Sequence, residues 1–172
     1  MRFSIQFLLL TFALTACKGE HSETVSLEEG RHIEMSLTSL ISLQSDWERY
    51  LTIFDEKHEV QVELLSDTGW WRGSSLYLHR SGLYVLNEGQ GGCVVFQASP
   101  PQILHGYSHL CNKTPIDTER SGLNLSSDGC TPSRHYTDLC FLGLFFEAQG
   151  AEDTLQFNWS DTQGEPLLPT PP

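Results

Sequence analysis

The sequence predicts a mainly β fold, an antiparallel sheet or sandwich with one short α-helix and a disulfide-stapled C-terminal half. Three observations carry that prediction. Residues 58–65 alternate, with Val60, Val62 and Leu64 on one side and Glu59, Gln61 and Glu63 on the other, the two-residue period of a half-buried strand. Leu76-Tyr77-Leu78 and Leu83-Tyr84-Val85-Leu86 flank His79-Arg80-Ser81-Gly82, whose glycine suits a hairpin turn. Cys93, Cys111, Cys130 and Cys140 all fall in the second half of the chain.

The first element in chain order is the apolar stretch from Ile5 to Ala16, which follows Arg2. It is too short to cross a hydrocarbon core of about 30 Å, which takes about 20 apolar residues in a helix. It ends in Leu14-Thr15-Ala16-Cys17, small residues leading into a cysteine. In this layout residues 1–17 resemble a bacterial lipoprotein precursor. The resemblance implies cleavage before Cys17, a diacylglycerol thioether on its sulfur and a third acyl chain on the new amino terminus. The partner it implies is a membrane, held through N-terminal acyl chains. Lys18 rather than an aspartate after the cysteine implies transfer to the outer membrane, facing the periplasm. The expected organisation is therefore a signal peptide over 1–16, an acylated cysteine and flexible tether over 17–24, and one globular domain over 25–160. A disordered tail is expected over 161–172, where four prolines in the last seven residues remove backbone donors.

Within the domain, Ile33 to Ser42 reads as a strand, although Leu37, Leu40 and Ile41 would equally continue a helical stripe into the segment that follows. Ser45-Asp46-Trp47-Glu48 has capping-box form, and Trp47, Tyr50, Leu51 and Phe54 recur at three- and four-residue steps, so the short helix is expected here. After the strand at 58–65 and the hairpin come Cys93 to Gln97, then Leu139 to Ala148, then Thr154 to Trp159 across a turn at 149–153. Consecutive short strands with turn punctuation mean an antiparallel sheet. An even set of cysteines in an exported chain predicts two disulfides, each worth about 2–4 kcal/mol through restriction of the unfolded chain. Three pairings are open, and loop length favours Cys93 with Cys111 and Cys130 with Cys140.

The formal net charge is −12, and Arg2 is the only charged residue ahead of Cys17, so the mature chain is more acidic still. Such a balance repels nucleic acid phosphates and anionic lipid surfaces and favours a basic protein partner. Chemistry-bearing patterns are sparse. His105 and His109 precede Cys111 at zinc-ligand spacing, but Gly106 and Pro100-Pro101 oppose a rigid helix and a bridged cysteine is no thiolate ligand. Ser133, His135 and Asp138 form a triad only on paper, with no nucleophile elbow. Glu147 lies in an apolar run that would raise a carboxyl's pKa. Gly89-Gln90-Gly91-Gly92 lacks the lysine of a phosphate loop. No catalytic residue, metal or cofactor is expected.

Trp70-Trp71-Arg72, set between Gly69 and Gly73, has the residue types of interface hot spots and is the candidate partner-binding segment. Adjacent residues on an extended segment point opposite ways, so one tryptophan is expected outside and the other in the core. The expected function is a membrane-anchored envelope lipoprotein acting as a binding or accessory module, neutralising a basic protein such as a lysozyme-like enzyme or a secreted toxin. It would carry an acidic, aromatic-bearing face around Trp70 to Arg72. The alternatives are a periplasmic hydrolase, with Glu147, His105, His109 and His135 converging in a pocket, and an envelope-assembly component with a broad apolar surface or open sheet edge.

Overall fold

A computed structural model describes residues 20–39, 46–68, 71–112, 131–148 and 154–167. They form two antiparallel sheets. The five-stranded sheet is a meander of β1 (Glu20–Glu28), β2 (Arg31–Ser39), β3 (Asp46–Phe54) and β4 (Glu59–Glu63), with the short β5 (Asp67–Thr68) also paired to β3. The seven-stranded sheet contains β6 (Ser74–His79), β7 (Tyr84–Asn87), β8 (Cys93–Ala98), β9 (Pro101–Ile103), β10 (Thr131–Pro132), β11 (Leu139–Ala148) and β12 (Thr154–Trp159). Its order is β10-β11-β6-β7-β8-β9, with β12 on β11 as well. The sheet margins meet where β4 runs beside β9 and β1 beside β12, so the molecule is a flattened, barrel-like sandwich.

Strand alternation sends one set of side chains between the sheets. Val25, Ile33, Met35, Leu37, Leu51 and Ile53 from the first sheet meet Leu76, Leu86, Phe96 and Phe145 from the second. Each such side chain, once fully buried, contributes about 1.5–3 kcal/mol. The seven-stranded sheet has a second apolar layer on its other face, where Tyr77, Val85, Val95 and Phe141 are covered by Tyr136, Leu104 and Leu110. The outer face of the five-stranded sheet is polar instead. In β2 the inward residues Ile33, Met35 and Leu37 alternate with outward Glu34, Ser36 and Thr38.

Three sequence expectations change. The expected helix at 45–54 is strand β3. Trp47, Arg49, Leu51 and Ile53 point inward at every second residue, and the chain pairs with β2 along its whole length, so the two-residue period overrides the helical one. The helix among the described residues is instead a 3-10 helix at His105–Cys111, joined to β8 by the Cys93–Cys111 disulfide. The tether is shorter than 17–24, because Glu20 to Thr24 already pair with β2; their alternation is merely hard to see with so few apolar residues. The tail packs as far as Pro166. Glu165 is 5% exposed, accepts hydrogen bonds from the Ser133 hydroxyl at 2.7 Å and the Arg134 amide, and so ties the segment to the loop before β11.

The register of β11 shifts between Phe141 and Gly143, so Leu139 and Phe141 before the bulge and Leu144 and Phe146 after it all reach the outer layer. Gly143 lies opposite Trp159, and the Phe157 ring covers it. A Cβ there would overlap that ring and the Asn158 carbonyl. Gly143→Val is therefore predicted to destabilise the fold by about 1–3 kcal/mol, the usual cost of overpacking. Denaturant unfolding monitored by tryptophan fluorescence measures it; an unchanged midpoint would show that β12 does not pack as described.

Candidate functional site

One end of the sandwich is organised around a cation. Arg49 is fully buried on the inward face of β3. Its Nε and Nη2 donate to the Leu65 carbonyl at 2.8 and 2.6 Å, and its Nη1 donates to the Ser74 hydroxyl at 3.2 Å and the Glu88 carbonyl at 3.0 Å. Four of its five N–H groups are thus bonded. The Glu88 carboxylate lies 3.9 Å from Nη2 and accepts the Leu65 amide at 2.6 Å. Arg49 thereby fixes three segments at once: the break between β4 and β5, the start of β6, and the loop after β7. Gly89, at φ +81°, lets that loop lie against the Gly73 carbonyl, where a Cβ would collide.

Trp71 belongs to this cluster. Its ring lies under the guanidinium at 5.1 Å, its indole N–H donates to Ser74 at 3.1 Å, and its backbone amide donates to Asp67 at 3.0 Å. The ring is half-buried, whereas the Arg72 side chain is exposed and Trp70 lies outside the described residues. Of the candidate segment, then, Trp71 is turned inward onto the protein's own arginine. Burial lowers the pKa of Arg49, with Glu88 and Asp67 opposing it, and burial raises that of Glu88, with the Leu65 amide and Arg49 opposing it.

The acidic, aromatic-bearing face lies elsewhere, on the outer surface of the five-stranded sheet. Cross-strand register sets its side chains in rows: Ser26, His32, Phe54 and Glu59; then Thr24, Glu34, Thr52 and Gln61; then Ser22, Ser36, Tyr50 and Glu63; and finally Glu20, Thr38 and Glu48. Five of these residues are glutamates and none is lysine or arginine. Hydrogen bonds from Thr24 to Glu34 and from Gln61 to Thr52, each 3.1 Å, stiffen the second row, and His32 stacks on Phe54 with centroids 5.3 Å apart. Tyr50 stands between Glu48 and Glu63, and its phenol pKa is raised first by Glu48, then by burial and by Glu63. Sequence reasoning missed this face because it treated β3 as a helix, which scatters Glu48, Tyr50 and Thr52 around an axis instead of aligning them beside β2 and β4.

The remaining candidates do not converge. His105 and His109 are exposed on the 3-10 helix, and Cys111 is consumed by its disulfide. Cys140 is also disulfide-bonded, with its partner outside the described residues, where Cys17 and Cys130 both fall. Ser133 donates to Glu165 and accepts the amides of His135 and Tyr136, while His135 Nε2 donates to the Pro166 carbonyl at 2.9 Å and Asp138 pairs with Arg80 at 3.7 Å. These are turn contacts with no serine-to-imidazole bond. Glu147 is half-buried on β11 opposite Leu155. Among the described residues no three His, Cys, Asp or Glu side chains gather to hold a metal ion. No family model, curated protein or solved structure matches the chain.

Two predictions follow from the Arg49 cluster. Arg49→Met leaves the Leu65 and Glu88 carbonyls without their donor and the Glu88 carboxylate without its neighbouring cation, and is expected to cost about 3–5 kcal/mol in denaturant unfolding. Arg49→Lys recovers little of it, because an ammonium cannot reproduce the planar fork; full recovery by lysine would refute the geometry. Second, a raised Glu88 pKa means that the folded chain keeps a proton over a window where the unfolded chain has released it. Its contribution to stability therefore falls as pH climbs from the ordinary carboxyl value of 4.5 through the raised one. Denaturant midpoints measured from about pH 4 to 7 should fall less steeply in Glu88→Gln than in the parent, and parallel profiles would contradict the assignment.

Proposed function

We propose that the chain is an acyl-anchored envelope lipoprotein whose β domain is a binding module for a basic protein. Anchoring is supported by residues 1–17 alone, which resemble a lipoprotein precursor and lie outside the described residues. The binding reading is supported chiefly by the outer face of the five-stranded sheet, where five glutamates and no lysine or arginine surround Tyr50, Phe54 and His32. At its margin Arg31 is tied to Glu28 at 2.5 Å. Like charges on one flat surface repel, and a complementary cationic surface relieves that repulsion while steering the encounter. The aromatic rings give such a partner apolar contact beside the charge. A hydrolase is less well supported, since His105 and His109 share the 3-10 helix while Glu147 stands on β11 and His135 in the loop before it.

The reading is tested by capture from the envelope of the source cell, with the parent domain and a Glu34→Lys, Glu63→Lys double variant as baits. Glu63 is exposed and Glu34 half-buried, and both alternate with the inward residues of their strands, away from the core. The parent is expected to recover a basic protein at low salt and lose it at high salt, and the variant to recover none. Equal recovery by both baits, or no basic protein with either, would overturn the proposal.

A further inference from the structure

The end of the sandwich that holds Arg49 is also the end from which the chain would leave for the membrane. Glu20 opens β1 opposite Thr38, which pairs with Glu48; on the same strand Trp47 pairs with Asp67, and Asp67 accepts the Trp71 amide. Only three residue steps separate Glu20 from Cys17, a reach of about 10 Å at full extension. The turns at the opposite end, which line a groove of about 460 Å³ through Glu29, Arg31, Asp55 and Lys57, lie a strand length away. Nine residues of strand span about 30 Å. An acyl anchor at Cys17 therefore cannot bring that far end to the bilayer surface while the near end stands clear of it.

The near end carries apolar and cationic groups beside the last glutamates of the sheet, Glu20, Glu48 and Glu63. Its Asp67 and Glu88 residues are buried, 4% and 5% exposed, while Leu65 is 50% exposed and Arg72, next to Trp71, is exposed as well. Trp71, between them in sequence, is half-buried. Apolar, indole and guanidinium groups together are the composition of a membrane interface, with the cation placed for headgroup phosphate. The molecule's overall negative charge disfavours anionic lipid, and the glutamate-bearing sheet face would be repelled by it. We propose that this end, with Leu65, Trp71 and Arg72, rests on the bilayer headgroups. The sheet then stands along the membrane normal, with its acidic face open sideways and the groove of the turn end facing away. The inference rests on the acylation of Cys17 proposed above.

The test uses the acylated full chain in phosphatidylethanolamine and phosphatidylglycerol vesicles carrying a headgroup-linked acceptor dye. A donor is attached to Ser66→Cys at the near end or to Lys57→Cys at the far end, and flotation of the vesicles is measured in parallel. Energy transfer is expected to be several-fold greater from position 66 than from position 57. In a Leu65→Glu, Arg72→Glu background that difference should shrink while the protein still floats. Equal transfer from the two positions in floating protein overturns the orientation and leaves the anchor standing. Failure of the parent to float, with a Cys17→Ser protein behaving identically, overturns both.

Discussion

The structure depends on one buried guanidinium. Two sheets of a small sandwich can slide over a purely apolar interface, since hydrophobic burial has no direction. Arg49 removes that freedom at one end by bonding carbonyls from the β4–β5 break and from the loop after β7, together with the hydroxyl that opens β6. Charge burial is costly, and the cost is met here by four hydrogen bonds, a nearby carboxylate and the face of Trp71. What the cluster supplies is register. Leu65, Trp71 and Gly89 sit where they do because the backbone around them is tied to one side chain.

The distribution of charge then gives the surface its character. The chain carries 22 acidic residues against 10 lysines and arginines, and one of those arginines is spent inside the core. On the five-stranded sheet the outward positions go to glutamate, serine and threonine with a few aromatic rings, a surface that would repel nucleic acid and most of a bilayer while attracting a basic protein. At the Arg49 end Asp67 and Glu88 are buried and Arg72 is exposed, beside the last glutamates of the acidic face, Glu20 and Glu48. The binding reading and the proposed orientation on the bilayer draw on these two surfaces separately. They are mutually consistent, since a module standing on that end keeps the rows of the acidic face from Glu34 to Glu59 clear of lipid.

Much of the fold was legible because alternation and turn residues act locally. The strands at 139–148 and 154–159 coincide with β11 and β12, and the hairpin around His79 to Gly82 joins β6 to β7. Where the reading failed, the deciding interactions were distant in sequence. Position 49 looks polar, so the inward series Trp47, Arg49, Leu51, Ile53 was hidden, and only partners at 65, 74 and 88 make an arginine acceptable there. The Trp47, Tyr50, Leu51, Phe54 stripe then offered a helical period that β2 pairing overrides. Strand β1 escaped notice for a related reason: an edge strand with Val25 and Leu27 as its main apolar contribution looks like a tether until β2 lies beside it. The acidic face was invisible in the same way, as it exists only in the cross-strand register of four strands. The charge balance hinted at such a face without placing it.

Hydrogen exchange reads the Arg49 clamp most directly. The Leu65 amide bonds to Glu88, the Trp71 amide to Asp67 and the Gly89 amide to Asn87, all in loops that would ordinarily open on their own. With Arg49 holding them to the sheets, native-state exchange under increasing denaturant should show these three amides merging with those of β3 and β6 into one opening, at the free energy of global unfolding. Exchange of all three through fast, denaturant-independent local openings, with β3 and β6 still protected, would contradict the account.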